Sequence, residues 1–191
     1  MTPSTQFYVD RPGRAPALVD LTRGDITAIR ADAIVNAANE ALAGGGGVDG
    51  AIHRAAGREL MAELRARYRG CPPGGAVITG SGRLAEGGVK WVIHAVGPVW
   101  RGGSRGEEGL LRSAYLAALR LADDAGATTV ALPAISCGVY GYPLGEGSAV
   151  ALRAVRDGLA HAGHLERAIF VLYSEDTYAA FATALADLAG R

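Results

Sequence analysis

Apolar positions along the chain fall into two alternating rhythms. Short, nearly continuous apolar runs at Ala17–Leu21, Ala33–Ala37, Ala76–Thr79, Lys90–Val96, Thr128–Pro133 and Ala168–Tyr173 predict strands, the run at 90–96 being rich in β-branched and aromatic residues. Between them apolar residues recur at helical spacing. Ile52, Ala56, Leu60 and Leu64 predict one helix over Gly50–Tyr68, stopped by Cys71-Pro-Pro-Gly-Gly. Leu110, Ala114, Ala117 and Leu121 predict a second over Leu110–Asp123. A third is expected over Glu146–Ala162, and Tyr178, Phe181, Leu185 and Leu188 mark a closing one. Strands alternating with helices imply an α/β fold, with a largely parallel sheet covered on both faces. No repeat, low-complexity tract or linker interrupts the pattern. Residues 17–191 therefore read as one domain, and 1–16 as a loosely attached extension with one edge strand at Phe7–Val9.

Composition narrows the function classes. A chain of 191 residues that is 49% hydrophobic can bury a full core unaided. Lys+Arg and Asp+Glu number 19 each, so a basic surface for gripping nucleic-acid backbone is disfavoured. Cys71 and Cys137 stand far apart and form no CxxC pair, which argues against a disulfide framework. The N-terminus lacks an apolar leader and no run of ~18 apolar residues occurs, so a cytoplasmic protein without membrane contact is expected. No His, Cys and Asp set has zinc-like spacing, and the expectation is no metal and no cofactor.

In sheets of this kind ligands sit where strand ends meet helix N-termini. Three segments occupy that position: Asn39–Gly50, Ala134–Gly145 and the stretch after Val171. The first contains Gly44-Gly45-Gly46-Gly47. Four glycines cost roughly 2–4 kcal/mol of folding entropy relative to alanine, more than a plain connector requires. The run opens directly into a helix, whose free N–H groups favour a phosphate; a flexible turn is the bland alternative. Gly45, Gly47 and Gly50 also match GxGxxG, but no acid ends the next strand, so the dinucleotide-fold reading fails.

Asn36 and Asn39 are the only asparagines in the chain. Their amides could bond a sugar diol or simply tie the turn. Asp49 is either a helix cap or a carboxylate aimed at whatever the glycines admit. His53 reads as a plain helix residue, and His94, inside an apolar strand, as a satisfied core histidine. The loop Ile135-Ser-Cys-Gly-Val-Tyr-Gly-Tyr-Pro143 offers backbone amides and then aromatics, which suits a diphosphate with a sugar packed against a ring. No base or cation is placed beside Cys137 to activate it, so it reads as a packing residue or backbone donor.

Five motifs in order resemble the macrodomain family, and within it the MacroD-type branch: Gly24-Asp-Ile-Thr27, Val35-Asn-Ala-Ala-Asn39, Gly44–His53, His94-Ala-Val-Gly-Pro-Val-Trp100 and Ile135–Pro143. The resemblance runs from about residue 17 to the end. It implies a three-layer α/β/α fold with a mixed, mainly parallel six-stranded sheet, and ADP-ribose as ligand. It also implies hydrolysis of esters at the distal ribose, either deacetylation of O-acetyl-ADP-ribose or removal of mono-ADP-ribose from acidic side chains of proteins. A monomer is expected, and ADP-ribosylated nucleic-acid ends are a further partner class.

By the same resemblance, Asp25 and Ile26 would hold the adenine, with Tyr173 stacking on it. Gly46, Gly47, Val48, Ser136, Cys137, Gly138, Val139 and Tyr140 would hold the diphosphate and distal ribose. Asn39 and Asp49 would act at the scissile bond, and Asn36, counted with the ligand-binding set, looks more structural. The family usually has Thr or Ser where this chain has Cys137. The alternative is a non-catalytic reader of ADP-ribose, but readers commonly lack the Asn39/Asp49 pair or the full glycine run.

Overall fold

The computed structural model describes residues 5–189. Seven strands form one sheet: β1 (Gln6–Arg11), β2 (Arg14–Arg23), β3 (Ala33–Ala37), β4 (Ala76–Gly80), β5 (Trp91–Ala95), β6 (Thr129–Leu132) and β7 (Arg167–Leu172). Their order is β1-β2-β7-β6-β3-β5-β4. The five inner strands run parallel, and the two edge strands, β1 and β4, pair antiparallel with their neighbours. The sheet thus has seven strands rather than the six expected. Residues 6–11 form a strand longer than Phe7–Val9 that is tied to the sheet, with Val9 buried against the core, while residues 14–16 already belong to β2. Residues 1–4 lie outside the described residues.

Five helices cover the sheet: α1 (Gly47–Ala56), α2 (Arg58–Arg67), α3 (Glu107–Asp124), α4 (Leu144–His161) and α5 (Glu175–Ala189). Strand periodicity sorts the core, because successive side chains point to opposite faces. Val35, Ile93, Val130, Leu132 and Phe170 pack with α3, α4 and α5. Their neighbours Ile34, Val92, Ala131 and Ile169 pack with Ile52, Ala56 and Leu60 of α1 and α2. Inner strands buried on both faces explain the near-continuous apolar runs.

One expectation fails. The single helix over Gly50–Tyr68 is two helices, and the first begins earlier, at Gly47. Gly57 breaks them with φ +86, a backbone conformation that only glycine adopts readily. The apolar spacing across the break stays in phase, since Ile52, Ala56, Leu60 and Leu64 are all buried. Periodicity therefore read the buried face correctly and missed the interruption.

Chain order decides where a crevice opens. From β3 the chain proceeds to β4 and β5 on one side, whereas β6 returns to the other side of β3 and leads on to β7. The segments leaving the C-terminal ends of β3 and β6 therefore diverge, which is where open α/β sheets bind ligands.

Candidate functional site

A cleft of about 900 Å³ occupies that crevice. Its walls come from Gly24–Ile26 after β2, Ala37–Asn39 and Gly45–Asp49 after β3, Pro133–Tyr140 after β6, and Val171–Ser174 at the end of β7. All but one of the residues expected to form the site line it: Asp25, Ile26, Asn39, Gly46, Gly47, Val48, Asp49, Ser136, Cys137, Gly138, Val139, Tyr140 and Tyr173. Asn36 does not. It is fully buried beneath the cleft, where its Nδ2 donates to Asp49 Oδ1 at 2.6 Å.

The glycine run delivers an uncapped helix end. Gly46 is the N-cap of α1 and makes no side-chain cap bond. The first intrahelical bond runs from Gly50 N to Gly46 O at 3.2 Å, so the N–H groups of Gly47, Val48 and Asp49 are not used by the helix. Such groups, with the helix dipole, form a ready anion site. Asp49 sits inside the first turn and is not the cap, although it is only 5% exposed. Its Oδ1 takes the Asn36 bond and lies 3.4 Å from His53 Nε2 one turn on. Among the described residues Oδ2 receives no hydrogen bond; it lies beside Gly45, where a Cβ would approach it to 3.2 Å.

Asn39 shapes the loop as well as facing the cleft. Its Nδ2 donates to Gly44 O at 2.8 Å, and its Oδ1 accepts from Ala43 N at 3.1 Å. At the far end Asp25 Oδ1 accepts from Thr27 N and Oγ1, both at 2.8 Å, which closes a short 3-10 turn and presents Ile26.

The segment after β6 is anchored from below. Tyr115 of α3, fully buried, donates to Pro133 O and accepts from Ile135 N, both at 2.9 Å. Ser136 follows with φ +64, an uncommon conformation for a residue with a side chain, and its buried Oγ has no partner among the described residues. Gly97 makes room for that hydroxyl, since a Cβ there would lie 2.2 Å from it. Trp100 N donates to Tyr140 O at 2.9 Å, and the Trp100 ring rests on Tyr142 with centroids 4.6 Å apart. Burial pushes the Cys137 thiol up to about 11, which keeps it protonated at neutral pH. Among the described residues no group of three or more His, Cys, Asp or Glu is gathered as a metal site, and no helix is long and apolar enough to cross a membrane.

Sequence reasoning missed three residues. His53 reaches Asp49 by i,i+4 spacing, a signal present in the sequence. Arg54 is the only cationic side chain lining the cleft among the described residues. His94 bonds to Asn36 across neighbouring strands, a contact that only the strand register creates.

Known proteins resemble this chain in sequence and fold. The family model described as Macro domain matches residues 35–151. The O-acetyl-ADP-ribose deacetylase of Citrobacter rodentium is 49% identical over 162 residues, covering 83% of this chain and 90% of that protein. A macro domain-containing protein of Caldanaerobacter subterraneus subsp. tengcongensis is 47% identical over 173 residues, covering 89% and 97%. Among solved structures, an Oceanobacillus iheyensis macrodomain variant with ADPR superposes with a TM-score of 0.86 at 34% identity, over 97% of this chain and all of that one. The Trypanosoma brucei macrodomain in complex with ADP-ribose gives 0.79 at 39% identity, over 87% of this chain and 68% of that one. The matched model spans more than half of the sequence and carries the cleft-forming segments after β3 and β6, so this chain belongs to the macrodomain family.

Proposed function

We propose that this chain binds ADP-ribose in the cleft and hydrolyses esters at its distal ribose. The observation that carries the reading is Asp49: a nearly buried carboxylate on the cleft wall, with one oxygen held by Asn36 and the other free of donors among the described residues, in the first turn of the uncapped helix. The N–H groups at that helix end and the backbone of Ser136–Tyr140 suit the diphosphate, Asp25 and Tyr173 the adenine, and Asn39 with Asp49 the distal ribose. Relatives named O-acetyl-ADP-ribose deacetylase, 48–50% identical over most of the chain, support the ester as substrate.

In the reaction a water attacks the acyl carbon, the bond from that carbon to the ribose oxygen breaks, and a carboxylic acid and ADP-ribose leave. Asp49 would orient the ribose and accept the proton from water, a role that contributes typically 10²–10⁴-fold. The Ser136 hydroxyl, buried and without a partner among the described residues, supplies a donor that a ligand can satisfy. Mono-ADP-ribose on acidic side chains of proteins carries the same carboxylic ester at the distal ribose and falls within the proposed substrate class.

Asp49→Ala tests the assignment. Turnover of O-acetyl-ADP-ribose should fall about 10²–10⁴-fold, while ADP-ribose affinity measured by calorimetry changes little. Loss of a group that acts mainly in the transition state lowers kcat and kcat/KM together. A variant that turns over normally per folded molecule would remove Asp49 from the chemistry, and a wild type without turnover would leave the protein a reader of ADP-ribose rather than a hydrolase.

A further inference from the structure

A chain of buried polar groups beneath Asp49 is not used by that chemistry. Asn36, His94 and Thr79 are all 0% exposed. A buried polar group left without a partner costs ~1–3 kcal/mol, so three in one place require a reason. Their bonds form one line. Asn36 Nδ2 lies 2.6 Å from Asp49 Oδ1 and 3.2 Å from His94 Nδ1, and His94 Nε2 lies 3.0 Å from Thr79 Oγ1, which reaches Val92 O at 3.4 Å. Strand register creates the line. Asn36 and His94 are direct partners on parallel β3 and β5, and Thr79 sits on antiparallel β4 opposite Val92.

Donor chemistry gives the line a direction. The Asn36 group facing a carboxylate at 2.6 Å must be the amine, because an amide oxygen there would repel it. The same nitrogen then points its second hydrogen at His94 Nδ1, which must be the unprotonated ring nitrogen. The ring proton therefore sits on Nε2 and is donated to Thr79 Oγ1, leaving the hydroxyl hydrogen for the Val92 carbonyl. Burial, first of all, pushes the ring's pKa down to about 3, so it stays neutral. Asn36 Oδ1 is buried and has no partner among the described residues. Apart from Asp49 itself, His94 is thus the one side chain among the described residues that determines which way round the amide sits.

We propose that His94, held as the Nε2–H tautomer by Thr79, is a positioning residue: it locks the Asn36 amine toward Asp49 and thereby aims the carboxylate into the cleft. His94 never touches the substrate. The inference rests on the assignment of Asp49 to hydrolysis.

The test compares His94→Met, His94→Gln and Thr79→Val with the wild type by single-turnover hydrolysis of O-acetyl-ADP-ribose, ADP-ribose calorimetry and melting temperature. His94→Met removes the acceptor and should slow the chemical step about 10–100-fold, the size expected when a reacting group is misplaced by about 1 Å. ADP-ribose affinity should stay within about twofold, since adenine and diphosphate contacts are untouched. In His94→Gln the amide oxygen can accept from Asn36 and the amide nitrogen donate to Thr79, so most of the rate should return. Thr79→Val, which frees the tautomer, should give a smaller loss. Nitrogen-15 spectra of the wild-type ring should show Nδ1 unprotonated.

A normal rate per folded molecule in His94→Met would overturn the inference, as would a His94→Gln variant as slow as His94→Met, or a proton found on Nδ1. Should His94→Met fail to fold, the His94→Gln and Thr79→Val rates and the spectra decide. A wild type without turnover would remove the hydrolase reading and this inference together. An active wild type, a slow Asp49→Ala and unaffected His94 variants would remove the inference alone.

Discussion

Gly50 is the position where the packing of the anion loop can be tested most directly. A Cβ built there would lie 2.6 Å from the Gly45 carbonyl oxygen and 3.1 Å from Arg54 Nη1. Arg54 can swing away, but the carbonyl is backbone. Ordinary contact begins near 3.4 Å, so Gly50→Ala must move the Gly45 peptide, or the start of α1, by roughly 0.8 Å. Overpacking of this kind costs about 1–3 kcal/mol, and alanine returns about 0.5–1 kcal/mol in a helix interior. Taking the middle of each range, the expected net loss is about 1 kcal/mol, or roughly 2–4 °C in melting temperature for a domain of this size. Gly45 also lines the cleft, so its displacement should weaken ADP-ribose by about tenfold, one hydrogen bond's worth. Gly46→Ala is the contrast: nothing lies within 4 Å of its Cβ position, so the methyl enters the space assigned to the diphosphate and should reduce affinity with little change in melting. Calorimetry and thermal melting on the two variants decide the matter. A Gly50→Ala protein that melts at or above the wild type and binds ADP-ribose equally well would refute the close approach of loop to helix.

Two further outcomes follow from the same geometry. Gly47→Glu should abolish ADP-ribose binding in calorimetry while the protein still melts cooperatively, since φ +57 costs a residue with a side chain about 1–2 kcal/mol and the carboxylate would face the diphosphate; retained affinity would mean that the run is only a connector. Acid should destabilise the wild type more than His94→Gln. The His94 pKa is about 3 folded and about 6.5 unfolded, so the unfolded state binds the extra proton as pH falls, and stability present above pH ~6.5 is progressively lost. Between pH 6.5 and 4.5 that linkage amounts to about 2 kcal/mol. Asp32, Glu107, Asp123 and Asp157, also lowered, begin to contribute only toward the acid end of the window and are common to both proteins, so the difference between them reports the ring. Parallel urea-denaturation stabilities for the two proteins across that window would show that the buried ring is not held neutral.

Much of this molecule is written in local patterns. Apolar runs placed six strands within one to three residues of their observed ends, because inner strands buried on both faces need unbroken apolar sequence. Helical periodicity located the buried faces of α1, α2 and α5, whereas in α3 only Ala114 of the expected stripe is buried and the buried face runs through Leu111, Tyr115, Ala118, Leu119 and Ala122. The cost of four glycines ahead of a helix singled out a run of which Gly45, Gly46 and Gly47 line the cleft. The resemblance placed Asp25, Asp49, Ser136 and Tyr173 on the wall of one cleft, since each lies on a segment that leaves the C-terminal end of a parallel strand.

Contacts between segments distant in the chain were a different matter. The break at Gly57 leaves the apolar spacing in phase and so has no periodic signature; only the φ of +86 reveals it. Whether Asn36 would face ligand or carboxylate depended on where α1 set Asp49, thirteen residues on. His94 looked like a core histidine and is one, but the residue it satisfies was invisible until β3 and β5 were paired in register. A residue's type and its local rhythm determine which face it buries. Which polar atom waits for it across the sheet is decided by strand order and register, and those are properties of the folded chain alone.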